Sequence, residues 1–186
     1  MFIIKDNYYL YIENTKDINI NLMRKNTKIY IIYRNQHKQE KLENILKFRK
    51  LCTQKKFKFY ISNDIKLLRN SNADGLYLSS FNKKIFLNQN IKMIGSAHNF
   101  REINEKLKQG CKTIFLSRLF DTSYKNKKGN LGVVKFNLIS KKYNCKIIPL
   151  GGIRNSNLNK LNMLTSEGLA LLSEVKKKPA IASRLF

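Results

Sequence analysis

The residue types that could do chemistry here gather first around Gly151 and Gly152. The stretch KIIPLGGIRNSNLNKLNMLTSEGLALLS, Lys146 to Ser173, reads as a short apolar strand, a Gly-Gly turn, a short helix and a second apolar strand ending in Ser173. Glycine lets a backbone approach a ligand closely and adopt positive φ. Arg154 and Asn155 follow at once, and Asn155 is the expected N-cap of a helix carrying Leu158, Leu161 and Leu164. Unpaired N–H groups at a helix start form a ready anion site, usually for phosphate. The same residues also suit an ordinary strand-turn-helix, and a Gly pair alone does not separate the two readings.

Such a turn needs a frame to hold it. Apolar runs recur along the chain: Tyr8–Glu13, Lys28–Arg34, Phe57–Asn63, Gly75–Ser80, Lys92–Ala97, Thr113–Arg118, Lys146–Gly152 and Gly168–Ser173. Most are rich in β-branched or aromatic residues and short enough for strands. Several lack strict alternation, as parallel strands buried on both faces do. Helical patterns lie between them. Glu40 to Gln54 places Leu42, Ile45, Leu46 and Cys52 on one side. In Asn99 to Gln109, Asn99 and Glu102 make a capping-box-like start, Phe100, Ile103 and Leu107 an apolar stripe, and Gly110 a stop. Leu131 to Tyr143 carries Val134, Leu138 and Ile139.

Strands alternating with helices give an α/β parallel sheet, and about eight strands close it into a single (β/α)8 TIM barrel. At 186 residues the chain lies at or just below the usual barrel range of roughly 200 and up, so the barrel is expected to be compact with shortened helices. No linker divides it, and one domain over residues 1–186 is expected. Phosphate sites in this fold commonly lie in the loops after strands seven and eight, where Gly151, Gly152 and Ser173 fall. Pro149 is the misfit, because proline in a central strand loses a ladder hydrogen bond; a bulge is the expected remedy.

Composition bounds the function classes. Lys and Arg number 37 against 12 Asp and Glu, a formal charge of +25. Such a field favours anionic partners. The lysines are scattered rather than striped, however, and no aromatic reading surface accompanies them, so nucleic acid is an unlikely partner. Cys52, Cys111 and Cys145 form no CxxC pair, which fits free thiols in a reducing compartment. The start MFIIKDNYY is too short and polar for a signal h-region, and no apolar run reaches a membrane span. A cytoplasmic protein without a membrane partner is expected. A homo-oligomer is allowed but not indicated.

In a barrel, chemistry sits at the carboxyl ends of the strands. Those positions read Arg34; Asn63 and Asp64; Tyr77, Ser79 and Ser80; Ser96 and His98; Ser117 and the loop Phe120 to Lys125; Gly151 and Gly152; Ser173. Asp64 would equally cap the next helix. His98 is expected to be structural, and Tyr77 and Phe81 to fill space.

The stretches ISNDIKLLRNSNADGLYL, IGSAHNFREINEKLKQGCKTIFLSRLFDTSYK, IIPLGGI and GLALLS carry a likeness in their order and spacing. From about Tyr8 to Ser173 the chain resembles the thiamine-phosphate synthase and TenI family of (β/α)8 barrels. The resemblance implies an enzyme that joins hydroxymethylpyrimidine diphosphate to a thiazole monophosphate and releases pyrophosphate with Mg²⁺. It implies Lys125 and Ser96 as catalytic residues. Arg34, Asn63, Thr122, Lys125, Gly151, Gly152 and Ser173 would bind the phosphorylated small-molecule substrates, and Asp64 and Asn82 would hold Mg²⁺. The physics suits this reaction. Departing pyrophosphate needs cations and N–H donors where its charge develops. Mg²⁺ takes a carboxylate or two plus phosphate oxygens rather than an all-protein cage.

The chain also departs from the family pattern. Arg-x-Lys has become Arg34-Asn35-Gln36, so one pyrophosphate lysine is lost unless Lys38 substitutes. The His-x-Gly-Gln-x-Asp motif has become Tyr77-Leu78-Ser79-Ser80-Phe81-Asn82, so Asn82 stands where a carboxylate would. Ser123-Tyr124 replaces the middle of the Thr-x-Thr-Lys loop, and Ser117-Arg118 the Gly-Pro before it. The alternative function is therefore a TenI-like binder or isomerase of thiazole phosphate without coupling activity.

Overall fold

Each of the apolar runs is a strand in a computed structural model of the chain, which describes residues 5–35, 40–86, 90–122 and 129–171. They are β1 (Asn7–Ile12), β2 (Ile29–Tyr33), β3 (Lys58–Ser62), β4 (Gly75–Leu78), β5 (Met93–Ala97), β6 (Thr113–Ser117), β7 (Lys146–Leu150) and β8 (Gly168–Leu171). All pairs are parallel and run in chain order, and the ring closes where Asn7 to Leu10 of β1 lie beside Gly168 to Leu171 of β8. The helices are α1 (Leu42–Gln54), α2 (Ile65–Ser71), α3 (Phe100–Lys108), α4 (Gly132–Lys141) and α5 (Leu158–Leu161). This is the expected (β/α)8 barrel. It is shortened where the sequence is short: β1 is followed by two single 3-10 turns, and α5 has four residues. None of the described helices is long and apolar enough to cross a membrane.

Two buried layers fill the molecule. One lies between strands and helices and includes Leu10, Ile31, Phe59, Ile103 and Phe136. The other fills the barrel itself: Tyr9, Tyr11, Ile32, Tyr60, Tyr77, Ile94, Phe115, Ile148 and Ala170. Branched aliphatic residues usually occupy such an interior. Here aromatic rings do, with centroids 4.8 Å apart for Tyr9–Phe115, 5.4 Å for Tyr11–Tyr77 and 6.0 Å for Tyr77–Phe115.

Several expected helix faces are corrected. In α1 the buried set is Ile45, Phe48 and Cys52, whereas Leu42 and Leu46 are exposed. In α3, Ile103 and Lys106 are buried while Phe100 and Leu107 are exposed. In α4, Phe136 and Ile139 face inward and Val134 and Leu138 outward. A helix resting on a curved sheet buries one narrow stripe, and residues a turn apart on its flank stay in solvent. Phe81, expected to pack, is 83% exposed.

The helix boundaries agree with their local signals. Asn99 accepts from the Glu102 N–H at 2.9 Å, Asp64 accepts from the Leu67 N–H at 2.8 Å, and Gly110 ends α3 at φ +87°. β7 runs through Pro149 without a bulge. The Lys146 N–H and the Leu150 carbonyl both bond toward the β6 side, so by strand alternation the missing Pro149 N–H faces β8. There the pairing is sparse, with Leu150 opposite Ala170.

The tyrosine interior makes the fold base-sensitive. Burial pushes the phenols of Tyr9, Tyr11 and Tyr60 well above the usual range. The folded state therefore holds protons that the unfolded chain releases above about pH 10. Stability is present below that pH and falls as pH rises through the phenol range. Tyrosinate absorbance should then rise together with loss of circular dichroism, rather than before it.

Candidate active site

The carboxyl end of the barrel is organised by Asn63, which ends β3 at φ +59°. Its N–H bonds the Tyr77 carbonyl at 2.8 Å. Its side-chain oxygen accepts from the Ser79 N–H and from Asn82 Nδ2, both at 3.0 Å, and its amide donates to Ser79 Oγ at 3.1 Å. This one side chain ties the β3 end to the loop after β4. That loop is fixed from below as well. Lys106 of α3 is wholly buried and donates to the Asn82 carbonyl at 2.7 Å and to Gln109 Oε1 at 2.8 Å. Gln109 in turn donates to the carbonyls of Asn82 and Lys84. Gly95 makes room for the Lys106 stem, since a Cβ there would lie 2.9 Å from its Cδ. Burial lowers the Lys106 ammonium from the ordinary lysine value, and two strong acceptors hold the charge in place.

Further round the ring, Ser96 is buried and its Oγ accepts from the Tyr77 hydroxyl at 2.9 Å. Arg34 follows β2, its N–H bonded to the Ile12 carbonyl at 2.8 Å. Its charge reaches the Tyr11 phenol, where it opposes the upward push of burial and of Tyr77. Arg118 donates to Thr122 Oγ1 at 3.1 Å and to the Gly129 carbonyl at 2.8 Å, which anchors the loop after β6.

The Gly-Gly turn has the geometry expected of it. Gly151 and Gly152 sit at φ +94° and +71°. The Gly151 carbonyl accepts from the Phe120 N–H at 3.2 Å, and the Gly152 carbonyl from Asn157 Nδ2 at 2.8 Å. The Leu150–Ala170 bridge to β8 engages the backbone on the other side of the turn, where the Gly151 N–H faces. A Cβ on Gly152 would lie 2.3 Å from the Phe120 carbonyl oxygen. The β6 and β7 loops are therefore packed backbone to backbone. Arg154, not Asn155, precedes the 3-10 turn at Asn155–Asn157 that leads into α5.

Arg34, Asn63, Asn82, Ser96, Thr122, Gly151 and Gly152 thus share the carboxyl end of one barrel. Lys125, Ser173 and the substitute cation Lys38 lie outside the described residues. The two metal candidates differ. Asp64 uses one oxygen to cap α2 and lines a cavity of about 430 Å³ with Tyr33, Glu40 and Ser62. Asn82 donates to Asn63 and gives its oxygen to the Lys84 N–H at 2.9 Å, so it is arranged as a loop brace. Among the described residues no group of three or more His, Cys, Asp or Glu is placed to hold a metal ion. One carboxylate at Asp64 fits Mg²⁺ only if phosphate oxygens complete the shell. His98 is structural as expected, with Nδ1 2.9 Å from Glu102 Oε2. A larger cavity of about 840 Å³ opens among Lys112, Tyr143, Lys146 and Glu167, at the amino ends of β6 to β8. The fold places chemistry at the other end.

The family model described as thiamine monophosphate synthase matches residues 7–175. The chain belongs to that family. A thiamine-phosphate synthase of Pelagibacter ubique is 30% identical over 148 residues, covering 74% of this chain and 71% of the relative. One from Prochlorococcus marinus is 28% identical over 142 residues, covering 74% of this chain but 40% of the relative. The chain therefore spans about two fifths of the Prochlorococcus proteins it matches. Among solved structures, a thiamine phosphate pyrophosphorylase from Pyrococcus furiosus superposes with a TM-score of 0.73 at 16% identity, over 97% of both chains. A 3-hexulose-6-phosphate synthase follows with 0.68 at 12% identity. At such identities the structures attest the barrel, while the sequence match shows the family.

The Asn63–Ser79–Asn82 network, the Lys106–Gln109 clamp and the Tyr77–Ser96 bond are features of the candidate site that the linear sequence hid. Each joins residues from different strands or helices. The expected stripe of Phe100, Ile103 and Leu107 gave no sign that Lys106 is buried.

Proposed function

We propose that this chain is a cytoplasmic thiamine-phosphate synthase. It would couple hydroxymethylpyrimidine diphosphate to thiazole monophosphate and release pyrophosphate. The observation that carries the reading is the Gly151–Gly152 turn, held at positive φ against the loop after β6 at the carboxyl end of a family barrel. Arg34 and, from outside the described residues, Lys125 would meet the diphosphate; Thr122, which would also bind it, accepts a hydrogen bond from Arg118. Asp64 would hold Mg²⁺ jointly with the diphosphate oxygens. Bound there, Mg²⁺ supplies positive charge against the departing pyrophosphate. Ser96 and Tyr77 would line the floor between the two substrates.

Purified protein given both substrates and Mg²⁺ should form thiamine phosphate, and folded protein that forms none would end the reading. Asp64→Asn separates capping from metal binding, because asparagine caps as well as aspartate but lacks the charge. The expected result is unchanged thermal stability with activity reduced at least tenfold at fixed Mg²⁺. Asp64→Ala should also lose about 1 kcal/mol of stability from the cap.

One observation favours a second reading, a thiazole-phosphate binder or isomerase without coupling. Asn82 replaces a carboxylate and its side chain is committed to Asn63 and Lys84. Calorimetry separates the two readings, since only the synthase should bind the pyrimidine diphosphate as well as the thiazole phosphate.

A further inference from the structure

One helix is apolar on its inner and its outer face. α4 carries Val133, Val134, Phe136, Leu138 and Ile139, has no acidic residue, and takes its charge from Lys135 and Lys141. Phe136 and Ile139 meet the core, yet Val134 is 71% exposed and Leu138 60%. A surface helix ordinarily turns polar and charged side chains outward along that whole face. The exposed pair also has neighbours of its own kind. Asn137 donates to the Met163 carbonyl at 2.8 Å, which places Met163, 64% exposed, beside one flank of α4. On the other flank the Phe100 ring of α3 stacks on Tyr143 at 6.4 Å, and Lys142 Nζ lies 5.7 Å over the Phe100 ring. Met163, Val134, Leu138 and Phe100 thus form an apolar strip across the outside of the barrel. Scattered exposed apolar residues need no account, but a grouped set marks a contact surface.

The charge along the strip is of one sign. Lys135, Lys141, Lys142 and Lys160 flank it and, among the described residues, none of them is in an ion pair. The carboxylates of α3 are already matched, Glu102 with His98 and Glu105 with Lys83 and Arg101. The whole chain carries +25. A second copy would bring like charge to the strip and be repelled. Nucleic acid would meet the lysines and leave the apolar side chains without a partner. An anionic bilayer meets both: its headgroups take the ammonium groups and its acyl boundary takes the apolar tips. Lipids also diffuse laterally and gather under scattered lysines, whereas a folded acidic partner must match each charge at a fixed place.

We propose that the α3–α4–α5 side of the barrel is a peripheral docking surface for an anionic phospholipid bilayer, with Val134, Leu138 and Met163 entering the interface and Lys135, Lys141, Lys142 and Lys160 meeting headgroup phosphates. The protein lies on the bilayer and does not span it. The expectation of no membrane partner rested on the want of an apolar span and did not weigh a surface contact. The strip stands on the wall of the barrel, so docking leaves the carboxyl end, with Asn63 and the Gly151–Gly152 turn, open to solvent. The inference does not rest on the synthase reading.

The test is co-sedimentation of the full chain with vesicles of phosphatidylcholine alone and of phosphatidylcholine with phosphatidylglycerol at about three to one, in physiological salt. The chain should bind the mixed vesicles about tenfold or more tighter than the neutral ones, and less tightly as salt rises. Val134→Ser combined with Leu138→Ser keeps the charge and, because both side chains are exposed, the unfolding temperature. It should weaken binding about tenfold. Lys135→Gln and Lys142→Gln should each cost about fivefold. Leu22→Ser, at an exposed apolar residue between β1 and β2, should change nothing. No binding to the mixed vesicles, or equal binding to the neutral ones, overturns the proposal. So does undiminished binding by the double serine variant, which would mean adsorption by net charge alone, and so does a matching loss in Leu22→Ser. A short DNA duplex bound more tightly than the mixed vesicles, and equally by the double serine variant, would mark a nucleic-acid surface instead.

Discussion

Gly152→Ala is expected to lower the melting temperature by about 6–12 °C and to remove thiazole-phosphate binding. The added Cβ would sit 2.3 Å from the Phe120 carbonyl oxygen and 2.7 Å from that of Asp121. Both are backbone atoms and cannot swing aside. The residue is also held at φ +71°, which a side chain resists. Clash and strain together are worth about 3 kcal/mol, within the upper range for single substitutions. In a domain of this size each kcal/mol moves the midpoint by about 2–4 °C. Relief requires the β6 and β7 loops to part, which displaces the Gly-Gly turn from its place at the strand ends. Gly151→Ala is the internal comparison. There the nearest contact is Arg118 Cγ at 3.3 Å, a side-chain atom with room to adjust. It should cost clearly less. Equal effects at the two positions would mean that φ alone matters and that the loops are not locked together.

Lys106→Ala should destabilise the protein by about 3 kcal/mol and loosen the loop after β4. The substitution opens a cavity over Gly95, removes the donor to the Asn82 carbonyl, and leaves Gln109 Oε1 unpaired in the interior. Lys106→Met separates these contributions, since methionine refills the stem but donates nothing. It should recover part of the stability. Hydrogen exchange at Ser79 and Asn82 should quicken in both variants, because the clamp and the Asn63 network hold the same loop from opposite sides. Unchanged exchange in that loop would show that Asn63 alone suffices.

Much of this arrangement was legible in the chain. The strands fall where apolar, β-branched and aromatic runs fall. Asn99 and Asp64 cap the helices that their types announce, and Gly110 ends one. These signals are local, so a few neighbouring residues carry them entire. The buried faces of α1, α3 and α4 were less legible. Phe100, Leu107, Val134 and Leu138 are apolar and helically spaced, yet exposed. Lys106 is charged and wholly buried. Periodicity offers two overlapping stripes, and only the neighbouring sheet selects between them. Lysine could be buried because Gly95, on another element, vacates its space and Asn82 offers a carbonyl.

The sequence by itself determined the count and order of the elements, the caps, the glycine turn and the family, because each is written in short spans or in their order. The tertiary structure alone decided that Asn63 grips Asn82, that Asn82 braces a loop, that Arg34 charges the neighbourhood of Tyr11, and that Lys106 is buried over Gly95. Those facts depend on the closure of a ring that sets the ends of β1 and β2, and of β3 and β4, side by side and wraps α3 against β5. A hydrogen bond between residues far apart in the chain has no trace in either segment until that closure sets the distance between them.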